Sequence, residues 1–202
     1  MPVEISFFPA VSVKACHIYT FGGYDNVEKT QLKSCEVYSI EKDRWHRNES
    51  QLNVARSQAS ACLFTDEVIF IFGGYNRDKG TLDSIERYDI QKKQIKLIEL
   101  RMPVPLRRFG SVKISNSKVL LLGGITKLSK DSDAVYCFDC NEEGFNGKKP
   151  YYSTEVLDKT DKAGVIDCPI VMDSVGNLQL FIEQSNGTQP HLRSVYSFLE
   201  YS

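Results

Sequence analysis

The residues of this chain whose types and spacing bear on chemistry are arginines and tyrosines, and they form no catalytic set. Cys137-Phe138-Asp139-Cys140 has the form of half a tetrathiolate metal site, but a structural zinc needs a second pair and only Cys168 follows nearby. His17, His46 and His191 stand far apart and have no ligand spacing. No Gly-x-Ser-x-Gly nucleophile turn is present. The members of a Ser/His/Asp triad need not be adjacent in sequence, but nothing points to one. The expectation is therefore a non-catalytic chain with no cofactor and no metal. Arginine does gather: Arg56, Arg77, Arg101, Arg107, Arg108 and Arg193 open apolar runs or sit in the connections between them. Tyr24 and Tyr75 each follow a pair of glycines directly. Arginine and tyrosine are the usual anchors of protein interfaces, and arginine pairs with carboxylates through two parallel hydrogen bonds.

The elements that must position these residues repeat. Val68-Ile69-Phe70-Ile71-Phe72-Gly73-Gly74 is too short for a helix that must nucleate on its own, and it is rich in residues that suit a pleated strand. Apolar side chains at successive positions predict burial of both faces. The same stretch occurs as Ile18-Tyr19-Thr20-Phe21-Gly22-Gly23 and as Val119-Leu120-Leu121-Leu122-Gly123-Gly124, with steps of 51 and 50 residues between the glycine pairs. Tyr38, Tyr88 and Phe138 keep a step of 50, as do Trp45, Ile95 and Phe145. A fourth copy, Leu178-Gln179-Leu180-Phe181-Ile182, has Glu183-Gln184 in place of the glycines, and Ser194-Val195-Tyr196-Ser197-Phe198 follows it. Both are displaced by 60 from the third copy, which places an insertion of ten residues at 141–150, a lengthened hairpin turn. With that insertion the match at Phe145 is accidental and Tyr151-Tyr152 opens the outer strand. In the same register Cys35 occupies the place of Ile85 and Val135, Cys62 that of Val112, and Cys140 that of Ile40 and Ile90, so these thiols stand in for aliphatic side chains.

The diglycine after a hydrophobic strand, and Tyr38 separated from Trp45 by six residues, resemble kelch repeats, and the resemblance covers nearly the whole chain. It implies an all-β, kelch-type β-propeller in which each repeat forms a four-stranded antiparallel blade, strands a to d. The repeats run approximately over 1–52, 53–103, 104–160 and 161–202, the fourth being degenerate and incomplete. In the second, strand a is expected at 60–64, b at 68–72, c at 84–89 and d at 95–100. Stacked blades bury the two apolar faces that a single sheet cannot. Gly22, Gly23, Gly73, Gly74, Gly123, Gly124, Tyr38, Tyr88, Phe138 and Trp45 are read as architectural, since no helix follows the glycines to make a phosphate site.

Strand directions place the b-to-c loops and the d-to-a connections on one face. Long loops on a rigid scaffold are where binding resides. Arg56, Arg77, Arg107, Arg108, Tyr24 and Tyr75 are the candidate protein-binding residues on it. In kelch substrate-adaptor proteins this face holds an acidic peptide, which the resemblance makes a candidate partner; Asp25, Glu28, Asp78, Asp83, Asp131 and Asp133 on the same loops argue against it. The resemblance also implies roles as a ubiquitin-ligase substrate receptor or a cytoskeletal scaffold. Two other readings stand beside it: a small-molecule-binding or enzymatic propeller of the kelch-like oxidase type, and a partial gene product with no function of its own.

The totals narrow the partners without identifying a function. A formal net charge of −1 and a pI near 6.3 give no basic footprint for nucleic acid and none for an anionic membrane surface. No apolar run approaches the ~20 residues of a membrane span, and the first residues lack the pattern of a signal peptide. The expected location is cytoplasmic, where the six cysteines stay reduced and the sequons at Asn48 and Asn186 carry no glycan. The sequence stops just after strand c of the fourth copy. Either it belongs to a larger propeller, or residues 3–7 supply the missing last strand; an open arc would leave blade edges to associate with other chains.

Overall fold

The structure is a computed structural model that describes residues 4–132 and 134–140, together with the strands at 156–159, 170–172, 177–182 and 191–197. Every regular element among them is a β-strand. The chain opens with β1 (Ile5–Ser6), β2 (Ala10–Val13), β3 (His17–Phe21), β4 (Tyr24–Asp25), β5 (Thr30–Gln31), β6 (Cys35–Ser39) and β7 (Arg44–Arg47). It continues with β8 (Ser60–Thr65), β9 (Val68–Phe72), β10 (Tyr75–Asn76), β11 (Gly80–Thr81), β12 (Ser84–Asp89), β13 (Gln94–Arg101) and β14 (Leu106–Arg107). Then come β15 (Gly110–Lys113), β16 (Lys118–Leu122), β17 (Ile125–Thr126), β18 (Ala134–Asp139), β19 (Val156–Lys159), β20 (Ile170–Met172), β21 (Asn177–Ile182) and β22 (His191–Ser197). Three antiparallel sheets have the same four-stranded order, β2-β3-β6-β7, β8-β9-β12-β13 and β15-β16-β18-β19, and a fourth has β20-β21-β22.

The second sheet shows why these residues become strands. β8 alternates buried and half-buried positions, the pattern of an outer-layer strand with one face inward. β9 is buried from Ile69 through Phe72, and β12 pairs with it from Ile85↔Phe72 to Asp89↔Val68. Asp66-Glu67 and residues 90–93 form the two turns. The outer strand spans Gln94–Arg101.

The chain divides into two compact units, Met1–Arg108 with Thr126–Lys130, and Phe109–Ile125 with Asp131–Ser202. In the first unit, one core joins two sheets: Val11, Val13, Phe21 and Cys35 of the first meet Ile69, Ile71 and Tyr88 of the second. The Tyr88 ring lies 5.7 Å from those of both Tyr19 and Phe21. On the opposite side of the second sheet, Phe64 and Phe70 make an edge-to-face pair at 5.3 Å. In the second unit, Leu120, Leu122, Val135 and Cys137 form a cluster within the third sheet. Cys35, Cys62, Cys137 and Cys140 are all buried. Tyr38 and Trp45 are direct cross-strand partners with ring centroids 5.2 Å apart.

One expectation changes. Residues 3–7 were one candidate for a missing outer strand; instead Ile5 and Ser6 pair with Asp25 and Tyr24. The reason is register: Ser6 lies 51 residues before Ser57, whose amide and carbonyl pair with Tyr75 in the same way. These residues therefore belong to the lead-in of a first strand. The outer strand of the third sheet is Val156–Lys159, paired with β18; Phe145, Tyr151, Tyr152 and the 141–150 insertion lie outside the described residues. No helix among the described residues is long and apolar enough to cross a membrane.

Candidate protein-binding loops

The loops that follow the glycine pairs are folded hairpins. β4 pairs with β5, and β10 with β11. Each begins on a side chain that caps its own turn. Asp25 Oδ1 accepts hydrogen bonds from the amides of Val27 (2.8 Å) and Glu28 (2.9 Å). Asn76 Oδ1 accepts from the amides of Asp78 (3.0 Å) and Lys79 (3.1 Å). This is local side-chain-to-backbone bonding of the kind Asx turns use. The nearly buried Asp25 carboxylate is thus engaged in its own turn and is not a free acid on the loop surface. Neighbouring loops touch where the Arg77 amide donates to Gln31 Oε1 at 3.2 Å.

The connections that enter each first strand are held by backbone. The amide of Gly23 donates to the Arg56 carbonyl at 2.9 Å, and the amide of Gly74 to the Leu106 carbonyl at 2.8 Å. In return, the amides of Arg56 and Leu106 donate to the carbonyls of Leu32 and Leu82. The incoming chain lies so close that a Cβ on Gly74, at φ +98°, would sit 2.7 Å from the Ser57 carbonyl oxygen and 2.9 Å from Ala59 Cβ. A second ladder links the positions two residues further on. The Gln58 amide donates to the Phe7 carbonyl (2.8 Å) and the Arg108 amide to the Gln58 carbonyl (2.9 Å). Phe7, Gln58 and Arg108 all have left-handed backbones, with φ of 55°, 56° and 56°.

The expected binding residues separate sharply on this frame. Arg56 has no exposed surface. Its five N–H donors are all engaged: Nε with the Val54 carbonyl (3.3 Å), Nη1 with those of Gly73 (2.8 Å) and Ser84 (3.2 Å), Nη2 with Ser84 Oγ (3.0 Å) and Glu86 Oε1 (2.6 Å). Glu86 is equally buried and also accepts from the amides of Asn53 (2.7 Å) and Val54 (3.1 Å). Burial pulls the Arg56 guanidinium below its ordinary pKa, and the Glu86 carboxylate opposes that shift. Arg56 therefore fastens the incoming connection to β12, and the placement of this residue on a partner-facing surface is corrected.

Arg107 and Tyr75 come together. The Arg107 guanidinium carbon lies 5.5 Å from the Tyr75 ring centroid, within cation–π range, and Nη1 donates to Gln58 Oε1 at 3.2 Å. Arg107 Nε is buried with no hydrogen-bond partner among the described residues. Tyr24, Tyr75, Arg107 and Arg108 are half-buried and Arg77 is exposed. Among the described residues no group of three His, Cys, Asp or Glu side chains converges as a metal site would require. What the arrangement offers is aromatic surface and guanidinium groups on backbone-braced loops, suited to recognising another protein's side chains.

Sequence reasoning missed two residues that organise this region. Asn48, read only as a sequon, donates from Nδ2 to the Tyr88 hydroxyl at 2.7 Å and accepts from the Ser50 amide at 3.1 Å. Glu86 was passed over as a strand residue. The third copy has Leu106 at the register of Arg56 and Tyr136 at that of Glu86, but the first keeps Glu36 with Ile5 at the arginine's place, so comparison of the copies gave no consistent signal for it.

Comparison with known proteins places this architecture. The KLHDC2/KLHL20/DRC7 Kelch-repeats domain matches residues 9–160. The chain is 27% identical to Kelch-like protein 38 of Mus musculus over 144 residues, covering 69% of the chain and 22% of that protein. It is 48% identical to the F-box/kelch-repeat protein SKIP20 of Arabidopsis thaliana over 78 residues, 39% of the chain and 18% of the relative. It is 29% identical to Beta-scruin of Limulus polyphemus over 134 residues, 60% of the chain and 14% of the relative. The chain thus spans about a fifth of the length of the curated relatives it matches.

Proposed function

The chain belongs to the kelch-repeat family, and from that premise we propose that it is a non-catalytic protein-interaction module. Its partner docks on the loops after the glycine pairs and on the connections that lead into the first strand of each copy. The observation that carries this reading is the Arg107–Tyr75 pair: a guanidinium poised 5.5 Å from an aromatic centroid, with a buried Nε that has no partner among the described residues, on loops braced by backbone hydrogen bonds. Tyr24, Arg77 and Arg108 flank it on the same set of loops. Guanidinium groups in this setting suit a carboxylate-bearing segment, and an acidic stretch is the partner chemistry of the proposal. A cytoplasmic location belongs to the same reading.

Affinity capture from cell extract with the chain and with a Tyr75→Ala/Arg107→Ala variant tests it. Loss of a reproducible partner from the variant, with far-UV circular dichroism unchanged, is the expected result. An identical set of captured proteins would remove these loops as the binding surface.

A further inference from the structure

β13 has a free edge. It closes the second sheet, and among the described residues nothing is hydrogen-bonded to its other side. Its counterpart in the first sheet, β7, is four residues long and reads Arg44-Trp45-His46-Arg47, while β13 runs for eight residues, with Ile95, Leu97, Ile98 and Leu100 set among Lys96, Glu99 and Arg101. Short charged outer strands discourage pairing with other chains; a longer strand offers more main chain to pair with. The register against β12 shifts between Glu86↔Leu97 and Ser84↔Arg101, a bulge that bends the end of the strand.

That end meets a groove of about 550 Å³. Leu97, 40% exposed, and Pro105 supply apolar lining, and Lys79, Arg101 and Lys127 supply three cations against one carboxylate, Asp83. Arg101 and Asp83 pair at 3.6 Å, each about half exposed. Among the described residues neither Lys79 nor Lys127 has a carboxylate within 4.0 Å. The groove is therefore a net positive site at the end of a strand that, among the described residues, is paired on one side only.

We propose that the β13 edge receives an extended strand of a partner protein, and that this strand places carboxylates over Lys79, Arg101 and Lys127. In strand addition the main-chain hydrogen bonds supply affinity and adjoining pockets supply specificity; here the groove is that pocket. The inference rests on the reading that this chain binds proteins, and it adds the outer strand to the contact made by the loops, with which the groove shares the β10–β11 hairpin.

The probe is a fluorescein-labelled ten-residue peptide of alternating threonine and valine with two terminal glutamates, made with the glutamates at either end, beside versions carrying two lysines. Fluorescence anisotropy with the 202-residue chain is expected to show binding of a glutamate peptide roughly tenfold tighter than its lysine counterpart. N-methylation of alternate peptide amides, in one of the two possible sets, is expected to weaken binding by about tenfold or more, because the donors facing β13 are lost. This comparison uses the unaltered chain and does not depend on the folding of any variant. Lys79→Glu/Lys127→Glu is expected to weaken the glutamate peptide by about tenfold and to strengthen the lysine peptide, a larger change than Tyr75→Ala/Arg107→Ala produces. Absence of glutamate-peptide binding, or binding insensitive to N-methylation or to the charge reversal, would overturn the proposal. Loss confined to Tyr75→Ala/Arg107→Ala would move the peptide to the loops, overturning the strand site and leaving the proposed function standing.

Discussion

Arg56 and Glu86 are joined at 2.6 Å with neither side chain exposed to solvent. Between them they bind the backbone of residues 53, 54, 73 and 84, so one ion pair ties the incoming connection to the ends of β9 and β12. A charge in such a site is tolerable only while its partner and its hydrogen bonds are intact.

Arg56→Ala should therefore destabilise the chain by about 3–5 kcal/mol, since it leaves a buried carboxylate uncompensated. Arg56→Leu/Glu86→Tyr, the combination found at Leu106 and Tyr136, should be less damaging than Arg56→Leu alone. Urea denaturation of the single and double variants measures the difference.

Gly74 and Gly80 both have positive φ, yet their surroundings differ. Gly74→Ala sets a methyl against the Ser57 carbonyl oxygen and Ala59, and should cost about 3 kcal/mol or more. Gly80→Ala meets nothing within 4 Å and should cost only the backbone preference, about 1 kcal/mol. Thermal unfolding of the two variants side by side checks the contrast.

Much of the frame was legible because burial on two faces leaves a plain record. β9 reads as uninterrupted apolar residues ended by glycine, and β12 was placed at its observed bounds. Arg56 was not legible in the same way. An arginine opening a strand reads as a surface group until its carboxylate is located, and Glu86 lies 30 residues further on. The lead-in at Ile5–Ser6 stood as one of two readings because two alternating residues beside a hydrophobic neighbour look alike in an outer strand and in a bridge to a loop. The Arg107–Tyr75 contact depends on a left-handed turn at Arg108 and a side chain of Gln58, and neither has a distinctive sequence signal.

Gln58 holds a left-handed conformation that side chains other than glycine resist. Gln58→Gly should be more stable than Gln58→Ala by about 1 kcal/mol, because both lose the bond to Arg107 and only glycine relieves the backbone. Chemical denaturation of the two variants decides it; equal stability would show that the turn carries no strain.

The Cys35 thiol is pushed up to about 12, first by burial and then by the charge of Glu86. The ordinary thiol value is 9.0, so the unfolded chain ionises first as pH rises. The resulting stability is intact below pH 9 and is lost on the way to 12. Cys35→Val, which copies Val135, should lose less stability than the parent above pH 9, by about 1.4 kcal/mol per pH unit. Denaturation of both proteins at pH 8 and 10 gives the difference, in which other titrating groups cancel.

The rungs from Phe7 to Gln58 to Arg108 are made by peptide groups alone, and three unlike side chains occupy the same posture. A joint that ignores side-chain identity frees those positions to diverge. Mutation can rewrite the surface at these places, one residue at a time, without renegotiating how successive modules are coupled.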